Sequence, residues 1–128
     1  MDTLTIKIIK SILIFFILDM VYINYIIKNP FSDMIFRIQG SKMSVKMLSA
    51  LLCYIVLFYV FYYFILSKKF ESNYQQIKEA FILGFCIYAI YDLTNHATIK
   101  EWSYSIVLID SLWGGILFAL TTYLIHKY

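Results

Sequence analysis

Charge is scarce in this chain of 128 residues, where acidic and basic side chains together make up 15%. A soluble domain carries about a quarter. That shortage excludes a water-facing surface over most of the molecule, because too little polar area exists to cover so much hydrocarbon. One proline, Pro30, leaves long helices free of interior breaks. Four glycines form no phosphate-cradling loop, and two histidines with two cysteines form no zinc ligand set. Nor do the eleven basic residues make a stripe along any one element, so a nucleic-acid partner is excluded. Helical rise places Cys53 about 9 Å and Cys86 about 20 Å from one membrane surface, too different in depth for a disulfide. Both thiols read as small buried apolar groups.

Apolar residues fill the space that charge leaves: 62% of the chain is hydrophobic and 20% aromatic, and mean hydropathy is +0.75. Four stretches, Ser11 to Ile27, Met47 to Leu66, Ala80 to Ile99 and Ser103 to Ile125, suit a hydrocarbon layer of about 30 Å. The first is short unless its helix runs back through Ile8 and Ile9, with Lys7 and Lys10 snorkelling. Asp19 and the lack of a small-residue cleavage site make this an anchor rather than a signal peptide. The reading is all-α: an integral membrane four-helix bundle of one domain, residues 1–128, with helices at about 6–27, 46–66, 79–99 and 103–125.

Between the first two spans, Asn29-Pro30 suits an N-cap and first helical position, and Phe31, Met34, Ile35 and Ile38 follow at helical spacing up to Gly40. A short interfacial helix in the headgroup plane is expected there, with an irregular loop as the alternative. Six basic residues on the side of both termini face five on the other, so orientation is undecided by charge. The expectation is cytoplasmic termini.

The informative residues are three acids. Asp19, Asp92 and Asp110 are the charged residues inside the four spans, each at an insertion cost of about 2.5 to 3.5 kcal/mol near a helix centre. If the helices alternate in direction, all three lie about 10 to 12 Å below the same surface on three different helices. Tyr54 sits level with them on the fourth. Tyr88, Asp92, Asn95 and His96 share one face of the third span, as do Asp110, Trp113 and Gly114 on the fourth. Gly84, Gly114 and Gly115 offer close helix packing. His96, one turn from Asp92, is expected to be a neutral interfacial histidine, while Trp102, Tyr104, Tyr62, Tyr63 and Tyr123 read as interfacial aromatic anchors.

The run Tyr91-Asp92-Leu93-Thr94-Asn95, with Gly84 and Tyr88 before it and Ala97-Thr98, Trp102 and Asp110-x-x-Trp113-Gly114 after it, resembles the domain of unknown function 2177 family. These are small polytopic membrane proteins known mainly from bacteria. The likeness is best over residues 80–115 and looser at Asp19, Ala50 and Tyr54. His96 stands where the family usually has an apolar residue, and Val60 where it has a glycine. The resemblance implies a four-helix membrane protein, directs attention to Asp92, Thr94, Asn95, Asp110 and Trp113, and implies no reaction. It points to a bacterial inner membrane; the Ile-, Tyr- and Lys-rich composition of an AT-rich genome keeps a virus-encoded protein in a host membrane open.

The leading functional reading is a polar intramembrane site formed by Asp19, Tyr54, Tyr88, Asp92, Thr94, Asn95, Asp110 and Trp113, which binds or transports a proton, cation or small polar ligand. The alternative is a membrane-embedded lipid-modifying enzyme in which one neutral Asp donates a proton and an ionised one accepts it. The third is a structural or assembly subunit whose acids tie helices together. No cofactor or metal is expected. The expected partners are membrane lipids, a second copy through the glycine face, and a proton, cation or lipid ligand.

Overall fold

The computed structural model describes residues 2–128, and its regular elements are all helical. Five helices follow one another: α1 (Thr3–Val21), α2 (Lys28–Gln39), α3 (Met47–Phe61), α4 (Asn73–Thr98) and α5 (Tyr104–Lys127). Single π-helical turns extend α1 through Tyr22–Ile26 and α3 through Tyr62–Leu66. Two helices are long and apolar enough by themselves to cross a membrane, Met47–Leu66 and Tyr104–Lys127. Besides their buried acids, the other long helices carry their charged residues near the N-terminal end: Lys7 and Lys10 in α1, Lys78 and Glu79 in α4.

Local sequence explains the helix starts. The Asp2 carboxylate accepts from the Thr5 amide at 2.7 Å, and the Ser72 hydroxyl from the Gln75 amide at 3.1 Å, so each satisfies one amide that a helix start leaves free. α2 departs from expectation. It starts at Lys28 with no side-chain cap, because the π turn after α1 runs almost directly into it at Ile27. Asn29 and Pro30 then fall within the first turn, where a missing proline N–H costs nothing. Gly40 ends the helix at φ 73°, as its position suggests.

The apolar stripe of α2 packs against the rest of the protein. Met34 is fully buried and packs with Tyr22, Ile27, Trp102, Ile106 and Val107, and its Sδ accepts from the Ser103 amide at 3.2 Å. With its apolar face turned inward, α2 covers one end of the other helices. At the opposite end, Gln76 donates to the Ile65 carbonyl at 2.9 Å and meets His126 at 2.5 Å, and Lys10 donates to the Tyr128 carbonyl at 2.5 Å. The N-terminus of α1, the α3–α4 turn and the C-terminus of α5 thus share that end.

Between the ends, α4 and α5 pack antiparallel through glycine. A Cβ on Gly84 would overlap the Gly114 carbonyl oxygen and lie 2.7 Å from the Phe118 ring, and one on Gly115 would lie 2.7 Å from the Phe81 ring. Backbone touches backbone at Gly84 and Gly114, which only glycine allows. Phe15, Phe61 and Phe118 fill the neighbouring core with edge-to-face rings, 5.4 Å apart for Phe15–Phe118 and 5.6 Å for Phe61–Phe118. Cys53 and Cys86 are exposed on the outer surface, not buried as expected. A small apolar side chain suits lipid and protein interior equally, so composition does not choose between them.

Gly84→Ala should destabilise the protein by roughly 1 to 3 kcal/mol, the cost of forcing an atom into a packed interior. Gly40→Ala meets open space but an unfavourable left-handed backbone, at about 1 to 2 kcal/mol. Unfolding of purified protein by denaturant in mixed micelles measures both; only Gly84→Ala should also alter α4–α5 cross-linking.

Candidate functional site

Three helices bring the acids inward. On α1 the buried positions Ser11, Phe15, Asp19 and Tyr22 form one stripe, so the face that enters the core also carries an acid. Asp92 on α4 is fully buried; Asp19 and Asp110 are 5% and 8% exposed. No basic side chain acts on any of the three. Neutral aromatic donors do instead.

Asp19 accepts from the Tyr54 hydroxyl and, at 3.0 Å, from Trp113 Nε1. Asp110 accepts from the Tyr22 hydroxyl. Trp102 Nε1 donates to Asp92 Oδ1 at 3.2 Å. The Tyr22 ring stacks on Trp113 with centroids 4.6 Å apart and planes 4° from parallel, so the donors to Asp110 and Asp19 are packed as one unit. The Asp92 and Asp110 carboxyls are close enough to act on each other. Asp92 Oδ2 is buried and receives no hydrogen bond from the protein. One proton held between the two carboxyls would satisfy it and remove the repulsion of two adjacent charges in a low dielectric.

A cavity of about 560 Å³ reaches this network. Its floor is formed by the buried residues Asp19, Tyr22, Ile27 and Asp110, with Tyr88 beside them; Asn24, Lys28, Met43 and Val45 at its edge are exposed. The cavity is thus open at the end where α2 and the segment before α3 lie. Towards the other end Phe15, Phe61 and Phe118 are fully buried and leave no polar group exposed among them.

The expected site residues separate into groups. Asp19, Tyr54 and Trp113 share one hydrogen-bonded cluster, Asp110 accepts from Tyr22, whose ring stacks on Trp113, Asp92 adjoins Asp110, and Tyr88 lines the cavity and packs against Gly114. Thr94 is exposed, and its carbonyl accepts from Thr98 within α4. Asn95 is half-buried and makes no side-chain bond to a carboxyl; its carbonyl caps the end of α4 through the Ile99 amide. His96 bonds the Trp102 carbonyl through Nδ1 at 2.8 Å. Gly84, Gly114 and Gly115 lie in the α4–α5 contact.

One network member departs from the sequence reading, and a second was not singled out by it. Trp102, expected as an interfacial anchor, is 5% exposed and is the donor to Asp92. Tyr22, three residues beyond Asp19, serves Asp110 on another helix. The signal for Tyr22 was its place on the Ser11–Phe15–Asp19 stripe; for Trp102, its depth alone gave none.

A family model described as a predicted membrane protein, domain of unknown function 2177, matches residues 4–126. No curated protein and no solved structure matches the chain. The chain belongs to the domain of unknown function 2177 family and is a membrane protein.

Trp102→Phe removes the N–H donor to Asp92 together with part of a buried ring. It should destabilise the protein by about 1 to 3 kcal/mol, and Tyr22→Phe by a similar amount through Asp110. Tyr25→Phe, at an 83% exposed position of the same turn, should change stability by less than about 0.5 kcal/mol. Denaturant titration of the three variants checks the ordering.

Proposed function

We propose that this member of the family crosses the membrane four times, through α1, α3, α4 and α5, and holds within the bilayer a carboxylate site that binds a polar group entering from one side. Four crossings are supported by the alternation of the ends: the N-terminus, the α3–α4 turn and the C-terminus are tied together at one end, and α2 with the α4–α5 turn occupies the other. They are supported also by large apolar residues exposed on the outer faces of all four helices, such as Ile17, Leu48, Ile90 and Leu108. Hydrocarbon accepts those faces without cost.

The observation that carries the binding reading is the cavity of about 560 Å³ with Asp19 and Asp110 in its floor. Its size falls within the range of small-molecule pockets, about 300 to 1,000 Å³, and a mostly apolar wall with a few converging polar groups is their usual form. The fully buried phenylalanine layer behind the site favours binding over conduction, since closely packed apolar rings stand across the way to the other end. A site closed behind and open in front binds and releases on one face.

A second reading is favoured by one feature, the adjacent carboxyls of Asp92 and Asp110. A pair sharing a proton has an acid and a base side by side, and Asp110 is the member that meets the cavity. Such a pair could move a proton on a bound lipid. It shares the binding site with the first reading and adds chemistry to it.

Native mass spectrometry of protein extracted from lipid should find lipid retained by the wild type and reduced about fivefold or more by the double substitution Asp19→Asn and Asp110→Asn, with Thr94→Ala unaffected. Proteoliposomes should take up protons no faster than protein-free vesicles. Sustained proton uptake abolished by Asp19→Asn would replace binding with transport. A lipid product of altered mass, absent from Asp92→Asn, would establish the second reading.

A further inference from the structure

Building on the reading of the cavity as a binding site, we infer that its occupant is a membrane phospholipid with a primary ammonium headgroup, of the phosphoethanolamine type, with the ammonium at Asp19 and Asp110 and the phosphate at Lys28. The inner end of the cavity offers acceptors. The hydroxyls of Tyr22 and Tyr54 and the indole N–H of Trp113 are already given to the carboxyls, and each carboxylate oxygen keeps a further lone pair. No protein cation reaches these acids. An incoming group must bring both hydrogens and positive charge, and an ammonium brings three N–H donors with its charge.

The cavity edge has the opposite character. Lys28 stands there in the first turn of α2, with Ser32 one turn on and Asn24 before it, all able to donate. The start of α2 adds the positive end of its dipole, which favours an anion. Acid within and base at the edge match a headgroup whose ammonium leads and whose phosphate follows. The aromatic residues Tyr22 and Tyr88 in the wall suit passage of a cation, and Ile23, Ile27, Met43 and Val45 suit the first methylenes of acyl chains. Among the described residues no group of three acids, histidines or cysteines is arranged to hold a metal ion, so the donor set fits an ammonium better than a bare cation.

The test uses full-length protein exchanged into nanodiscs containing equal amounts of ethanolamine, choline and glycerol phospholipids with identical chains, then released for native mass spectrometry. Retention of the ethanolamine lipid should exceed that of the other two about tenfold, and an N,N-dimethylated headgroup should fall between ethanolamine and choline. This series uses the wild type alone, so folding of variants does not enter. The double substitution Asp19→Asn and Asp110→Asn should abolish the preference for the primary amine, whereas Lys28→Gln should weaken retention of ethanolamine and choline lipids alike and leave their ratio unchanged. Equal retention of all three headgroups, still reduced by the Asp substitutions, would overturn the ammonium assignment and leave the binding reading standing. Retention that ignores both headgroup and Asp substitutions would overturn both. Soluble O-phosphoethanolamine displacing the lipid at comparable concentration would overturn the assignment to a phospholipid.

Discussion

The constraint on which this structure depends is that three carboxyl groups are buried with no basic partner. They are at most 8% exposed, and an unsatisfied acid in such surroundings costs several kcal/mol. The protein meets the requirement with neutral donors carried on large rings: two phenols and two indoles from α1, α3, α5 and the α4–α5 turn. Because the rings are bulky, supplying the hydrogen bonds also fills space. Tyr22 stacked on Trp113 satisfies two acids on two helices and seals the gap between α1 and α5.

The α4–α5 pairing follows from the same requirement. Asp92 lies six residues before the end of α4 and Asp110 six after the start of α5, so the two stand level across the antiparallel pair. Gly84 and Gly114 then remove the side-chain layer that would hold the two backbones apart. Glycine proximity and the meeting of the acids are two consequences of one close approach. Beyond the glycines the packing changes character to the phenylalanine layer and then to the polar cluster of Gln76 and His126. The acids are accessible from one direction because the aromatic layer supplies the stability of the other half.

Depth along a helix could be read from sequence, and rotation could be read only where a stripe repeated. Counting residues from the span ends put Asp19, Asp92, Asp110 and Tyr54 at one level, and the glycine positions marked a close contact. Those features depend on helical rise and period, which are nearly constant. Trp102 was misread because an aromatic residue at a span end has the same depth whether it points to headgroups or inward, and it lies in a turn where no helical period fixes its direction. The cysteines failed for the converse reason: their position on α3 and α4 was clear, but lipid and core reward the same side chain. Thr94 stood two residues from Asp92 in the chain, yet residues two apart on a helix point about 200° apart, and its face is the exposed one.

The short helix expected between the first two spans is present as α2, but its stripe records only that one side is apolar, not what covers it. Its burial against Trp102 joins the two halves of the site. The Phe31 ring of α2 meets the Trp102 ring edge-on at 5.8 Å, and the Tyr91 ring meets Trp102 at 5.9 Å. Phe31 and Tyr91 line the cavity, while Trp102 lies behind them and holds Asp92. A group entering beneath α2 thus presses on the rings that position the donor to the innermost acid. Asp92 touches no part of the cavity, but the packing that keeps its one protein hydrogen bond in place forms the cavity wall, so α2 cannot lift away without loosening the support of that bond.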